Sequence, residues 1–410
     1  MSVRMRGFAE YMKLDKAQRI VLSNVRTLGA EALPFQDVLG RVLAENVRSA
    51  VDAPPFDRSS VDGYAVKAAD TFGASGSSPK KLRLIGAVAI GTKPKVSIKK
   101  GTAVKIMTGA PLPKGADASV MVENTRARGK FIEVLSPVTP GKNVGKRGED
   151  IVAGELVFKK GKVIRPQEVG MLALTQNLRV NVFRRPRVAI LATGSELRKP
   201  GSKLKFGEIT DSNSYALSAA VTSQGCVADV LGTVPDDKKK LRQAISSALG
   251  DDMVFVSGGA SVGELDLVPD TISDMGKVLF HGVALRPGGP TAFGFIRRKP
   301  VFSLPGFPVA VLMAFHFLAR PALLAMQGLP ADYGRRCVRA KLSGDVSSTL
   351  GRADVARVKL SVENGKLLAE PVMVLGSGIL SSMTRADGLV VVPEDVEGFS
   401  KGQDVEVELL

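Results

Sequence analysis

The period of the apolar positions changes along the chain, and each change marks a different kind of structure. Near the start, Ala17, Ile20, Val21 and Val25 recur at helical spacing behind Asp15, which suits an N-cap. Residues 51–146 switch to short strand-like runs such as Leu82-Arg83-Leu84-Ile85, Ala103-Val104-Lys105-Ile106-Met107 and Phe131-Ile132-Glu133-Val134, separated by Gly, Pro and Lys turns. Helical spacing returns from Pro166 through Val169, Leu172 and Ala173. That stretch resembles the N-terminal helix in style, so the two are expected to pack together with the β block inserted between them.

From 186 to 328 strands and helices alternate. Val188-Ala189-Ile190-Leu191 reads as a strand, the next helix is capped by Asp211 or Ser212, and Val227 to Leu231 follows as another strand. A helix with Leu241, Ala244, Ile245, Ala248 and Leu249 on one face leads to the apolar run Met253-Val254-Phe255-Val256. This rhythm predicts right-handed crossovers and a parallel sheet with helices on both faces. The apolar run from Val309 to Met326 contains His316, Arg320 and Pro321, which predicts a kinked core helix over a membrane span. The tail, 331–410, returns to β. Asn364-Gly365 between two apolar runs signals a hairpin, and a small barrel or sandwich is expected. The expected organisation is multidomain α/β plus β: a helical part from 1–50 with 147–180, an inserted β domain at 51–146, an α/β domain at 181–330 and a C-terminal β domain at 331–410.

The chemistry gathers at strand ends. Ser257-Gly258-Gly259-Ala260-Ser261-Val262-Gly263-Glu264-Leu265-Asp266 follows the apolar run and precedes a helix, a geometry that offers backbone N–H groups and hydroxyls to a phosphate or oxyanion. Glu196 and Asp236 also follow strands, and in an open parallel sheet those carboxyl ends share one edge. Carboxylates beside an oxyanion loop call for a cation, most simply Mg²⁺, so Glu196, Asp236 and Asp266 are its candidate ligands. Arg286 ends another strand and supplies a fork of donors suited to an oxyanion. Gly351-Arg352 and Gly376-Ser377-Gly378-Ile379-Leu380-Ser381-Ser382 add polar groups in the tail. Asp62, before a turn glycine, and Arg147-Gly148-Glu149-Asp150 are acidic spots in the N-terminal half.

Composition narrows the class. The chain has 410 residues, 44% hydrophobic and 24% charged, with a formal net charge of +17. Residues 51–146 carry 16 Lys+Arg against 7 Asp+Glu, a local excess of +9. Polyanionic partners suit that excess, but the absence of Trp argues against a stacking platform for single strands. Cys226 and Cys337 are the two cysteines, far apart and outside metal-ligand spacing, so a disulfide scaffold and a zinc cluster are not expected. No signal-peptide pattern opens the chain, and a cytoplasmic protein is expected.

Six stretches together resemble the molybdopterin molybdenumtransferases, the MoeA and gephyrin E-domain family. They are Pro55-Phe56-Asp57-Arg58-Ser59-Ser60-Val61-Asp62-Gly63-Tyr64-Ala65, Met107-Thr108-Gly109-Ala110, Arg147-Gly148-Glu149-Asp150, Thr193-Gly194-Ser195-Glu196-Leu197, Ser257 to Gly263 and Leu304-Pro305-Gly306. The resemblance implies an elongated four-part subunit with a C-terminal β-barrel, in a homodimer whose active cleft combines the α/β domain of one subunit with the β domain of the other. It implies a Mg²⁺-assisted reaction in which adenylylated molybdopterin and molybdate give a molybdenum-loaded pterin and AMP. Asp62, Thr108, Asp150, Glu196, Asp236 and Asp266 then match polar positions of the family's site, and Ser257, Gly258, Gly259, Ser261 and Gly263 its substrate loop. Arg286, Pro290, Arg352 and Ser381 match its molybdate pocket, with Ser377 beside them.

Four positions depart from the pattern. Gly289 and Gly282 stand where family members carry lysines, Phe307 stands for an Asn and Ala310 for a Ser. A tungstate-using paralogue is therefore one alternative. A molybdopterin adenylyltransferase and a non-catalytic pterin-binding scaffold are others. A nucleic-acid binder would fit the charge, but no matching signature is present.

Overall fold

A computed structural model of the chain describes residues 11–258, 267–373 and 376–410. The chain forms two compact units, Met1–Glu31 with Phe183–Leu410, and Ala32–Val182.

In the first unit, a six-stranded sheet runs in the order Val227–Val234, Arg187–Thr193, Met253–Ser257, Lys299–Leu304, Ala292–Ile296, Lys277–His281. The first four strands are parallel, as the sequence rhythm predicts. Ala292–Ile296 instead runs antiparallel to both its neighbours. The reason is local: Arg297 and Arg298, with φ of 48° and 67°, make a two-residue hairpin turn, too short for a crossover. After Arg187–Thr193 the chain goes to one side for Val227–Val234 and returns to the other for Met253–Ser257. The carboxyl ends of Arg187–Thr193 and Met253–Ser257 therefore flank the switch point.

Alternation along these strands fills two cores. Val188, Ile190, Phe255, Phe302 and Leu304 meet Leu217, Val221 and the apolar side of the Pro308–Met326 helix. Ala189, Leu191, Val254, Val256 and Val301 meet Leu241, Ile245 and Ile272 on the other face. Each large aliphatic or aromatic side chain so buried contributes about 1.5–3 kcal/mol. The Pro308–Met326 helix is long and apolar enough to cross a membrane by composition, yet 67% of it is buried inside this unit. Its irregularity is a π-helical turn at Phe315–Ala319 followed by Pro321, which has no N–H to give the preceding turn, and the Phe317 carbonyl accepts from Gln18 Nε2 at 2.9 Å instead. His316, in the π turn, bonds Glu408 of the tail at 2.9 Å.

The N-terminal helix, Leu14–Asn24, corrects an expectation. It buries Ala17 and Val21 in the core that holds Phe315, Ala319 and Leu323, and so belongs to this unit. The expected partner, the Pro166–Leu174 helix, belongs to the other. Both helices carry apolar residues at the same spacing in the sequence, so the pattern could not tell which core each would join; Leu14–Asn24 buries Ala17 and Val21, and Pro166–Leu174 buries Leu172 with Glu168. The tail closes a five-stranded barrel, Ala353–Glu363, Lys366–Met373, Cys337–Leu342, Asp404–Leu409 and Gly388–Val392, the last pairing back to the first. The Asn364-Gly365 hairpin forms as expected, with φ of 50° and 74°.

In the second unit, a six-stranded sheet is ordered Ala118–Met121, Gly63–Val66, Thr102–Ile106, Lys80–Val88, Phe131–Val134, Thr125–Arg128. A separate small core joins Val38, Leu43 and Val47 to Ile164, Leu172, Val180 and Val182.

Candidate active site

The rim of the first unit is built on Asp236. Thr193 Oγ1 donates to its Oδ1 at 2.9 Å, and the Ser195 amide donates to its Oδ2 at 3.1 Å. The carboxylate therefore braces the loop after Arg187–Thr193, while each oxygen keeps a second lone-pair direction for a ligand. Glu196, the next residue, is exposed, and its carboxylate has no protein partner among the described residues. A Cβ on Gly194 would lie 2.6 Å from Glu196 Oε1, so this carboxylate folds back over the strand end. Asp266, Gly259, Ser261 and Gly263 lie outside the described residues.

Ser257 and Gly258 are described, and they show why glycine is needed. Gly258 has φ +97°, and a Cβ there would sit 2.2 Å from the Thr193 carbonyl oxygen. Its amide donates to the Leu304 carbonyl at 3.1 Å. Three strand ends are thus held backbone to backbone. Beside them the Asn213–Ser223 helix begins, with Asn213 Nδ2 donating to the Gly306 carbonyl at 2.7 Å. Ser257 Oγ, Ser214 Oγ and Asn213 Oδ1 are all buried without a hydrogen-bond partner among the described residues. Ser257 shares the sheet face of Phe255, the face that packs Leu217 and Val221 of this helix, so the three atoms belong to one layer. Each unsatisfied buried group costs about 1–3 kcal/mol, which a polar ligand would recover. Asn213 and Ser214 escaped the sequence reading because Asp211-Ser212-Asn213-Ser214 reads as a cap. The cap is real: the Ser214 amide donates to Asp211 Oδ1 at 3.0 Å.

A second constellation lies where Leu285–Arg286 pairs with Ala353–Asp354. The Asp354 side chain is 2% exposed and ion-pairs with Arg286, while Arg352 Nε lies 3.5 Å from its Oδ1. Ser348 Oγ donates to Oδ2 at 2.7 Å. One carboxylate between two guanidiniums leaves a net positive charge, and Arg286 Nε has no hydrogen-bond partner among the described residues. An oxyanion fits that donor set. Pro290 follows Gly289, whose carbonyl accepts from Val283 and Thr291 amides at 2.8 Å each. The Ser377 carbonyl accepts from the Val309 amide at 2.9 Å, and Ser381 opens the short Ser381–Thr384 helix. No hydrogen bond joins Ser377 or Ser381 to either arginine among the described residues.

The second unit brings three of the resembling stretches together. Ser59 accepts from the Gly109 amide at 2.7 Å, donates its own amide to Ala110 at 3.0 Å, and pairs with Val144. Asp62 Oδ1 accepts from the Thr108 amide at 2.8 Å and from Thr108 Oγ1 at 3.2 Å. Asp57 accepts from the Arg147 amide and Lys146 Nζ, both at 2.9 Å, which hold its carboxyl below the usual range. Asp52 is likewise held low, by the Ala153 amide first and then by Arg147. The Asp150 amide donates to the Ala53 carbonyl at 3.1 Å, and its exposed carboxylate has no partner among the described residues.

Among the described residues no three His, Cys, Asp or Glu side chains form a metal cage. Glu196 and Asp236 nevertheless present two carboxylates on adjoining loops. That suffices for a Mg²⁺ ion that completes its shell with water and phosphate oxygens.

Residues 12–175 match the family described as "MoeA N-terminal region (domain I and II)". Residues 189–325 match "Probable molybdopterin binding domain", and 339–410 match "MoeA C-terminal region (domain IV)". A MoeA molybdopterin biosynthesis protein of Pyrococcus horikoshii has a solved structure similar at a TM-score of 0.87 and 40% identity, over 98% of this chain and 99% of that one. A molybdopterin biosynthesis protein of Methanocaldococcus jannaschii is 38% identical over 97% of this chain and 98% of its own. Molybdopterin molybdenumtransferase 2 of Mycobacterium tuberculosis is 34% identical over 96% and 98%. Three regions matched in order, on a shared fold and over nearly the whole length, leave one conclusion: the chain belongs to the MoeA family.

Proposed function

We propose that the protein is a molybdopterin molybdenumtransferase, which takes adenylylated molybdopterin and molybdate, releases AMP and leaves molybdenum on the pterin dithiolene. The observation that carries this reading is the set of buried polar atoms at the switch point that have no partner among the described residues, Asn213 Oδ1, Ser214 Oγ and Ser257 Oγ. They supply a site for a polar heterocycle or phosphate beside a glycine-dependent loop. The names of the relatives support the same chemistry.

Breaking a phosphoanhydride asks for positioned charge more than for a protein nucleophile. Glu196 and Asp236 would hold Mg²⁺, which supplies neutralisation of the phosphate charge. Arg286 and Arg352 orient the oxyanion, and Asp354 keeps their guanidiniums in register. Asp62 is held by Thr108 in one rotamer, ready to accept a hydrogen bond or orient a water. The same reading has the protein act as a homodimer.

The test incubates the protein with adenylylated molybdopterin, Mg²⁺ and either molybdate or tungstate, and follows AMP. Release should depend on the oxyanion and fall by about 10²–10³-fold in Asp62→Ala and in Glu196→Ala. Full release by both folded variants would overturn the assignment. A faster reaction with tungstate would identify the oxyanion to which the Gly289 and Phe307 departures are tuned.

A further inference from the structure

The excess charge of residues 51–146 is not neutralised within its own sheet. Asp62, Asp70 and Asp117 spend their carboxylates on backbone amides, those of Thr108, Gly101 and Ala68. Lys146 pairs with Asp57 and Arg58 lies 3.8 Å from Glu149, but most of the other cations face solvent, and they are sorted. This block holds four arginines, Arg58, Arg83, Arg126 and Arg128, among 16 basic residues. Three of those four meet on one sheet face.

Strand register shows how. Lys81 and Arg126 both pair with Glu133, and Arg83 and Arg128 both pair with Phe131. Residues directly opposite point to the same side, so the face carries two rows, Lys81–Glu133–Arg126 and Arg83–Phe131–Arg128. Leu82, Ile132 and Val134 point the other way, into the core. Neighbouring strands are about 4.8 Å apart and alternate residues about 7 Å, so four cations and one acid share a patch roughly 10 Å across. Glu133 answers Arg128 only at 3.8 Å, and Arg83 and Arg126 have no ion pair among the described residues. Phe131 is 36% exposed at the centre, with Lys81 Nζ 4.4 Å from its ring centroid. Thr125–Arg128 is also the edge of its sheet.

We propose that this face docks an acidic segment of a partner protein, whose carboxylates take Arg83, Arg126 and Arg128 while an apolar side chain covers Phe131. Like charges placed side by side on a sheet are destabilising unless something else compensates. Arginine flanking an aromatic is the composition of an interface centre, whereas a merely solvated surface favours lysine. The guanidinium fork matches carboxylates bidentately. Nucleic acid fits less well, because the single aromatic on the face already lies under Lys81 and offers no stacking series.

The test measures anisotropy of a labelled Glu-rich peptide with a central Leu, and of labelled oligothymidylate, against the full-length protein at several salt concentrations. Wild type should bind the peptide, and Arg83→Glu/Arg128→Glu should weaken it about tenfold or more. The neutral pair Arg83→Gln/Arg128→Gln should fall between, and Phe131→Ala should weaken binding at constant net charge. A control with the same charge change on the barrel, Lys359→Glu/Lys366→Glu, should bind as wild type. The proposal is overturned if the face variants bind as wild type, if the barrel control loses as much, or if oligothymidylate binds more tightly than the peptide. The melting temperature of each variant shows that a loss is not unfolding.

Discussion

Asp236 and Asp354 sit in the same unit, and both are expected to serve anionic reactants, yet they are held in opposite ways. Asp236 is exposed and accepts from a hydroxyl and an amide, neutral donors that fix a loop without cancelling its charge. Asp354 is buried and faces two guanidiniums and a hydroxyl, so its charge is consumed in holding cations. The first arrangement presents a negative charge to a ligand; the second presents a positive surplus. A carboxylate's burial and the charge of its donors, more than its place in a motif, decide which reactant it can serve.

The sharpest way to break the contrast is Asp354→Ala. Leaving Arg286, Arg352 and Ser348 without the carboxylate they share should cost about 3 kcal/mol, the low end for a broken buried pair because both guanidiniums keep some solvent, read as a lowered denaturation midpoint. Gly258→Ala comes next. Its left-handed backbone and the 2.2 Å approach to Thr193 should cost about 2–3 kcal/mol and disturb the loop on both sides. Asp236→Ala should lower stability less, by about 1–2 kcal/mol, since the exposed Ser195 amide can turn to water while buried Thr193 loses its acceptor, and AMP release should fall sharply. Equal stability losses for Asp236→Ala and Asp354→Ala would erase the distinction.

Glu168 gives the smallest and cleanest comparison, a buried carboxylate with no part in the site. Arg165, followed by Lys162, draws its pKa from 4.5 to about 2. A carboxyl lowered on folding stabilises the protein above its unfolded value, and that stability is lost as pH falls from about 4.5 towards 2. Glu168→Gln should flatten this part of a melting-temperature profile and leave neutral-pH AMP release unchanged.

Much of this was legible before any coordinates. The run Met253 to Val256, the helix capped by Asp211 and Asn364-Gly365 carry their structure in local pattern, whereas Asp15 lies inside the first turn of Leu14–Asn24 and is not its N-cap. What stayed hidden is instructive. The Arg297-Arg298 turn has none of the Asn-Gly chemistry that announces a tight hairpin, so the antiparallel strand was not foreseen. Asp354 was passed over although Arg352, two residues earlier, was singled out. Its only signal is a charged residue where Ala353-Asp354-Val355-Ala356 should run apolar. Asp236 was read as a metal ligand, and its bracing of Thr193 and Ser195 became visible only when two non-adjacent loops met.

The π turn at Phe315–Ala319 carries a consequence for how this unit tolerates change. One surplus residue in regular winding would turn everything beyond it by about 100° around the axis, and the wider π turn takes that residue up without the rotation. The first half of the helix can then settle on the sheet while His316 is aimed at Glu408 and Leu323 at the N-terminal helix. Removing a single residue from this turn would restore regular winding and leave Leu323 and Met326 facing the same neighbours. A deletion in the α-helical stretch on either side has no such slack and would rotate one half of the helix away from its core, so it should be far more harmful than a deletion here.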